Sequence, residues 1–182
     1  MRTLYGADAG INFIDTADVY GDGESEKAVG RLVRSRSEHL FVATKCRRRC
    51  QPQTAEAYQP AVLRQFVEVS LRNMQQETID LIQMHCPPTE VYYRPEIFGE
   101  FDRLREEGKI QHLGVSIEKV EEGLKAIEFP NVATVQLIFN MFRQRPPELL
   151  FKEAARRDIG AIVQRAAGQR PGRRGGAEKS IS

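Results

Sequence analysis

The stretch Ile79-Asp80-Leu81-Ile82-Gln83-Met84-His85 decides how the rest of the sequence is read. It is a short, mostly apolar run that stops at an ionisable side chain, and a run of that length suits a strand covered on both faces. Five more such runs flank it: Ile11–Ile14, Leu40–Ala43, Ile110–Val115, Thr134–Phe139 and Ile159–Val163. Between them the apolar residues recur at three- and four-residue spacing, as at Val62, Phe66, Val69 and Leu71 beside Arg64, Gln65 and Arg72. That spacing predicts helices. Further helices are predicted over Ser25–Arg34, Pro95–Glu107, Glu118–Ile127 and Pro146–Arg157. Pro95 and Pro146 suit a first helical turn, and Gly108 stands where a helix should stop. Six strands alternating with helices, with no two-residue hairpin signal, give parallel βαβ units. An open doubly wound sheet normally carries a glycine-rich phosphate turn after its first strand, and no G-x-G-x-x-G occurs here. The expected fold class is therefore α/β, an incomplete (β/α)8 TIM barrel with about six of eight strands.

In such a barrel chemistry collects at the C-terminal ends of the strands. The sequence meets that expectation. The first four runs lead into Asp15, Lys45, His85 and Ser116 respectively. One strand ending in a polar residue is ordinary, because it lets the backbone reach water. Taken singly, Asp15 is as readily a cap, Tyr20 a packed loop aromatic and His85 a plain loop histidine. Asp, Lys and His at consecutive strand ends weaken that explanation.

The run Gly10-Ile11-Asn12-Phe13-Ile14-Asp15-Thr16-Ala17-Asp18-Val19-Tyr20-Gly21, with Ser25-Glu26 and Val29-Gly30 after it, resembles the signature of the aldo-keto reductases. So do Phe41-Val42-Ala43-Thr44-Lys45, Asp80-Leu81-Ile82-Gln83-Met84-His85, Leu113-Gly114-Val115-Ser116 and Val135-Gln136-Leu137, in that order and over roughly residues 1–165. The resemblance implies an NADPH-dependent carbonyl oxidoreductase acting on aldehydes or ketones. It puts Asp15, Tyr20, Lys45 and His85 on the catalytic tetrad, and Ser116 and Gln136 where the family contacts the nicotinamide carboxamide. Many members have Asn directly after that serine, whereas this chain has Ile117. The other reading is a catalytically inactive truncated fragment, or a regulatory NADP-binding module of the same fold.

The chemistry asks for these residue types. Hydride transfer to a carbonyl builds negative charge on its oxygen, so a proton donor must stand about 3 Å away. Tyr20 is the natural donor. A phenol ordinarily titrates near ~10, and a cation beside it, Lys45, favours its ionised form. Asp15 keeps that lysine charged inside a partly dry barrel mouth, and His85 orients the substrate oxygen.

Bulk properties narrow the alternatives. The 182 residues fit one domain, and a net charge of +2 with 41% hydrophobic residues demands neither nucleic acid nor an acidic membrane surface. No apolar run nears the ~18–20 residues of a membrane span, and no signal-peptide pattern opens the sequence, so a cytoplasmic location is expected. Cys46, Cys50 and Cys86 form an odd set without a disulfide or zinc spacing, which gives reduced thiols and no metal. Arg47-Arg48-Arg49 reads as a solvated basic loop near the site mouth, with a looser possibility of attracting anionic substrates or cofactor phosphates. Gly21-Asp22-Gly23-Glu24 reads as a turn, since its two acids would repel phosphate. The first barrel strand and its floor hairpin are not found before residue 10. After Arg165 the composition turns rich in Gly, Pro and Arg, so residues 166–182 are expected to be a disordered tail outside a partial barrel at 1–165. Two missing strands would leave sheet edges unpaired, and oligomeric state is not legible.

Overall fold

Every second residue of each strand faces a helix, and this alternation positions everything that follows. The computed structural model describes residues 6–48, 52–142, 145 and 148–164. Six strands are present: β1 Phe13–Asp15, β2 Phe41–Cys46, β3 Ile79–His85, β4 Ile110–Ser116, β5 Val132–Ile138 and β6 Gly160–Gln164. Five helices separate them: α1 Glu24–Arg34, α2 Pro60–Met74, α3 Pro95–Glu106, α4 Val120–Ala126 and α5 Leu150–Arg156. All strands are parallel and lie in the order β1-β2-β3-β4-β5-β6. A doubly wound sheet reverses direction at a switch point. This one never does, and it curls into the partial barrel expected from the sequence.

The predicted strands are all found, with ends moved by one to three residues. Helix prediction fared less evenly. The Val62, Phe66, Val69, Leu71 stripe lies one step off the face of α2 that is fully covered, which carries Leu63, Val67, Ser70 and Met74. Phe66 and Leu71 pack at its margin. The last helix begins at Leu150 rather than at residue 146, which lies outside the described residues. Proline opens α2 and α3, where the missing N–H costs nothing. Gly108 at φ 73° closes α3 as predicted, with Lys109 N donating to Leu104 O at 2.9 Å.

On β3, Ile82 and Met84 join the core shared with the helices, while Leu81, Gln83 and His85 lie on the opposite, inner face. The same parity puts Ile14, Val42, Val115 and Val135 in the helix-packed core. Asp15, Lys45, Ser116 and Gln136 fall on the inner face. The register aligns Lys45 with Gln83, and His85 with Ser116 and then Gln136. Two glycines mark close approaches. A Cβ on Gly30 of α1 would stand 2.1 Å from Met74 O, and one on Gly114 of β4 would stand 2.2 Å from Thr134 Oγ1.

Buried polar groups tie the layers together. Glu26 of α1, fully buried, accepts from Thr44 Oγ1 at 2.7 Å and from Asn73 Nδ2 at 2.8 Å, joining α1, β2 and α2. Arg64 bridges Glu100 and Glu107 across α2 and α3.

Candidate active site at the strand C-termini

After Asp15 the chain keeps running along β2, with Thr16 N donating to Ala43 O at 2.8 Å and Asp18 N to Lys45 O at 3.0 Å. It then reverses through Gly21, Asp22 and Gly23, at φ 59°, 55° and 87°. Two of these three left-handed residues are glycines, which adopt that region without steric cost. The predicted turn is therefore real, and it sets Tyr20 on the loop between β1 and α1. Thr16 Oγ1 and Ser25 Oγ, 2.7 Å apart, fasten the loop's two ends.

Lys45 is fully buried, and its ammonium has three protons to place. Asp15 Oδ1 and Oδ2 accept at 2.7 Å each and Thr16 O at 2.9 Å, so all three are satisfied. The ammonium also lies 5.6 Å from the centre of the Tyr20 ring, within cation–π range. Asp15 is held from its other side by Gln136 Nε2 at 3.1 Å and Gln83 Nε2 at 3.4 Å. Gln83 was not anticipated. The signal for it was its place two residues before His85 on the same strand, hence on the same face.

The His85 ring meets the Tyr20 ring edge-on, with centres 6.3 Å apart. Burial, then the nearby charges of Lys45 and Arg48, pushes the imidazole pKa down to about 3, so the ring is neutral at physiological pH. Its Nδ1 is buried with no hydrogen-bond partner among the described residues, as are Gln83 Oε1 and Gln136 Oε1. Ser116 Oγ lies 3.6 Å from Cys86 Sγ. Cys86 takes φ 47° to turn the chain out of β3.

Tyr20, His85, Ser116, Ile117, Arg48 and Lys119 are among the walls of one cleft of about 590 Å³, a size that suits a small-molecule ligand. Asp15, Lys45 and Gln136 are not in its lining. The structure thus brings together Asp15, Tyr20, Lys45, His85 and Gln136, with Ser116 on the shared cleft beside His85. Ile117 is buried, its amide donating to Gln136 O at 2.9 Å, and it offers an alkyl side chain to the cleft.

The basic run is corrected by the structure. Arg47 is not solvated: it is buried, its guanidinium lies over Tyr58 at 4.5 Å from the ring centre, and Nη2 donates to Ala57 O at 2.6 Å. Arg48 alone of the pair is open to solvent, and Arg49 and Cys50 lie outside the described residues. Cys46 is buried and its thiol pushed well up by burial, so it supplies no thiolate. No helix among the described residues is long and apolar enough to cross a membrane. The expected tail at 166–182 also falls outside the described residues.

Comparison with known proteins bears on the same residues. An uncharacterised oxidoreductase of Bacillus subtilis is 30% identical over 144 residues, covering 78% of this chain and 47% of that protein. An NADP(+) aldo-keto reductase of Schizosaccharomyces pombe is 28% identical over 166 residues, 87% of this chain and 48% of its own. Among solved structures, a glycerol dehydrogenase of Gluconobacter oxydans superposes with a TM-score of 0.74 at 33% identity, over 89% of this chain and 51% of that one. A Klebsiella pneumoniae aldo/keto reductase solved with NADP and acetate gives 0.73 at 23% identity, over 88% and 54%, a likeness of fold. The chain spans about half the length of the curated relatives it matches. The sequence model of one family matches residues 1–172, and with the parallel half-barrel and the ordered strand-end residues this gives the conclusion that the chain belongs to the aldo/keto reductase family.

Proposed function

We propose that this polypeptide carries the proton-transfer half of an NADPH-dependent carbonyl oxidoreductase, with Tyr20 as general acid and residues 1–165 as the catalytic unit. The observation that supports this most is the placement of Lys45, dry, doubly bonded to Asp15 and facing the Tyr20 ring. Its three protons are already engaged, so Lys45 acts on Tyr20 through its field rather than through a hydrogen bond. Bound NADPH supplies a hydride to the carbonyl carbon. The carbonyl oxygen takes the Tyr20 proton, and Tyr20, 42% exposed, is reprotonated from water. His85, being neutral, donates one N–H to that oxygen and adds no cation to the cleft.

The cofactor fits the donor set. Gln136 spends its N–H2 on Asp15 and keeps a buried Oε1 without a partner. A carboxamide N–H would complete it, with Ser116 the second contact on the nicotinamide side. Replacement of Tyr20 by Phe removes the acid and is expected to lower aldehyde reduction about 10²–10⁴-fold while leaving NADPH binding, followed by fluorescence, within a factor of a few. Absence of NADPH binding at millimolar cofactor together with absence of aldehyde reduction by the wild-type chain overturns the proposal. The second reading is a regulatory NADP-binding module, favoured by the open flank at β6, where Ala161 and Val163 are exposed. Cofactor binding with no turnover on any aldehyde would select it.

A further inference from the structure

The two described arginines after β2 part company on folding. Arg47, at φ 84°, turns inward to Tyr58 and Ala57, and its amide donates to Asp18 Oδ2 at 2.9 Å. Arg48 thereby turns the other way, onto the wall of the cleft that holds Tyr20, His85 and Ser116. Its side chain stays 43% accessible. The ion pair it makes with Glu118 is 3.7 Å long, and Glu118 is itself 64% accessible. A charge-assisted hydrogen bond to a carboxylate is about 2.7–2.9 Å, and an exposed pair of this length is weak and easily exchanged. The charged residues lining the cleft are Arg48, Glu118 and Lys119, two cations against one anion. Lys119 reaches Glu122 only at 3.7 Å and is 65% accessible. The charge on Lys45 is matched by Asp15 behind the wall. The cleft therefore presents a net positive wall beside a neutral imidazole.

We propose that Arg48 determines specificity by holding the anionic end of the substrate, so that the site selects carbonyl compounds that also carry a carboxylate. This rests on the reading of the cleft as a carbonyl site. Strand order favours the substrate over the cofactor phosphates as the anion's source. The carboxamide contacts, Ser116 and Gln136, stand on β4 and β5, whereas Arg48 follows β2, on the other side of β3. A planar guanidinium suits a carboxylate bidentately.

The test compares 4-carboxybenzaldehyde with its neutral methyl ester as substrates of the wild-type chain and of Arg48→Gln. Wild type is expected to favour the carboxylate by kcat/KM about 10-fold or more, and R48Q to collapse that ratio towards one, mainly through KM. R48K should recover part of the ratio, and Glu118→Gln, which removes the competing anion, should raise it a few-fold. The preference should shrink with added salt. An equal ratio in wild type and R48Q overturns the proposal, as does an R48Q effect confined to the KM for NADPH, which would give the guanidinium to a cofactor phosphate. If neither aldehyde is reduced, the oxidoreductase reading fails separately. Calorimetric titration with benzoate and with benzamide then decides the anion site: benzoate must bind wild type more tightly than R48Q, and equal binding overturns it.

Discussion

The middle of the sheet and its last strand are built from the same kind of residues but meet different surroundings. In β3 six of seven residues are buried, because α2 and α3 cover one face and neighbouring strands converge on the other. In β6, which has the apolar sequence Gly-Ala-Ile-Val-Gln, no residue is fully buried. Val163, on the parity that faces helices elsewhere, is 40% exposed. A strand's hydrophobicity is thus a demand for cover, and the demand is met in the middle and unmet at the flank among the described residues. The candidate site follows the same division. Lys45, Gln83 and His85 come from the covered strands and hold the others in place.

The contrast is broken most strongly by cavities. Ile82→Ala should cost about 4 kcal/mol, because the fully buried side chain leaves a void that its neighbours fill only in part. Val163→Ala should change stability by less than about 0.5 kcal/mol. Urea unfolding of the pair measures both, and similar values would mean that β6 is as well packed as β3. Added bulk gives the next effect. Gly30→Ala puts a Cβ 2.1 Å from a backbone oxygen and is expected to cost about 3 kcal/mol, whereas the Cβ of Gly160→Ala would meet Thr134 Cγ2 at an ordinary 3.5 Å.

The smallest effect concerns pH. With the His85 pKa at about 3 in the folded chain against about 6.5 unfolded, the unfolded chain takes up a proton first as pH falls. The stabilisation is complete above about pH 6.5 and is lost progressively towards pH 3, amounting to about 2 kcal/mol between pH 7 and pH 5. His85→Gln lacks that proton uptake, so its urea midpoint should drop less over this interval. Equal drops would mean that His85 is well hydrated when folded.

Much of this was legible in the sequence because the signals are local. The six apolar runs and their ionisable ends place Asp15, Lys45, His85 and Ser116 on one rim, since strand ends are set by the residues themselves. Three features were not legible, each for a non-local reason. Arg47 is buried by Tyr58, eleven positions away, and by a left-handed backbone turn that a run of three arginines does not advertise. The covered face of α2 is chosen by where α1 and β2 press, so the visible stripe fell one residue off. Gln136 was read only as a nicotinamide contact, because its bond to Asp15 spans 121 residues. Gln83 lay in plain view and was passed over, since a glutamine in a strand is unremarkable until its neighbours are known.

The one-residue alternation in β3 has a consequence for how such a chain tolerates change. Deleting or inserting a single residue before His85 within the strand would trade places between the two sides, sending Gln83 and the imidazole among the helices and methionine towards the rim. Paired length changes keep the parity. Natural variation in length should therefore gather in the connections, such as 47–54, and avoid the seven positions from Ile79 to His85.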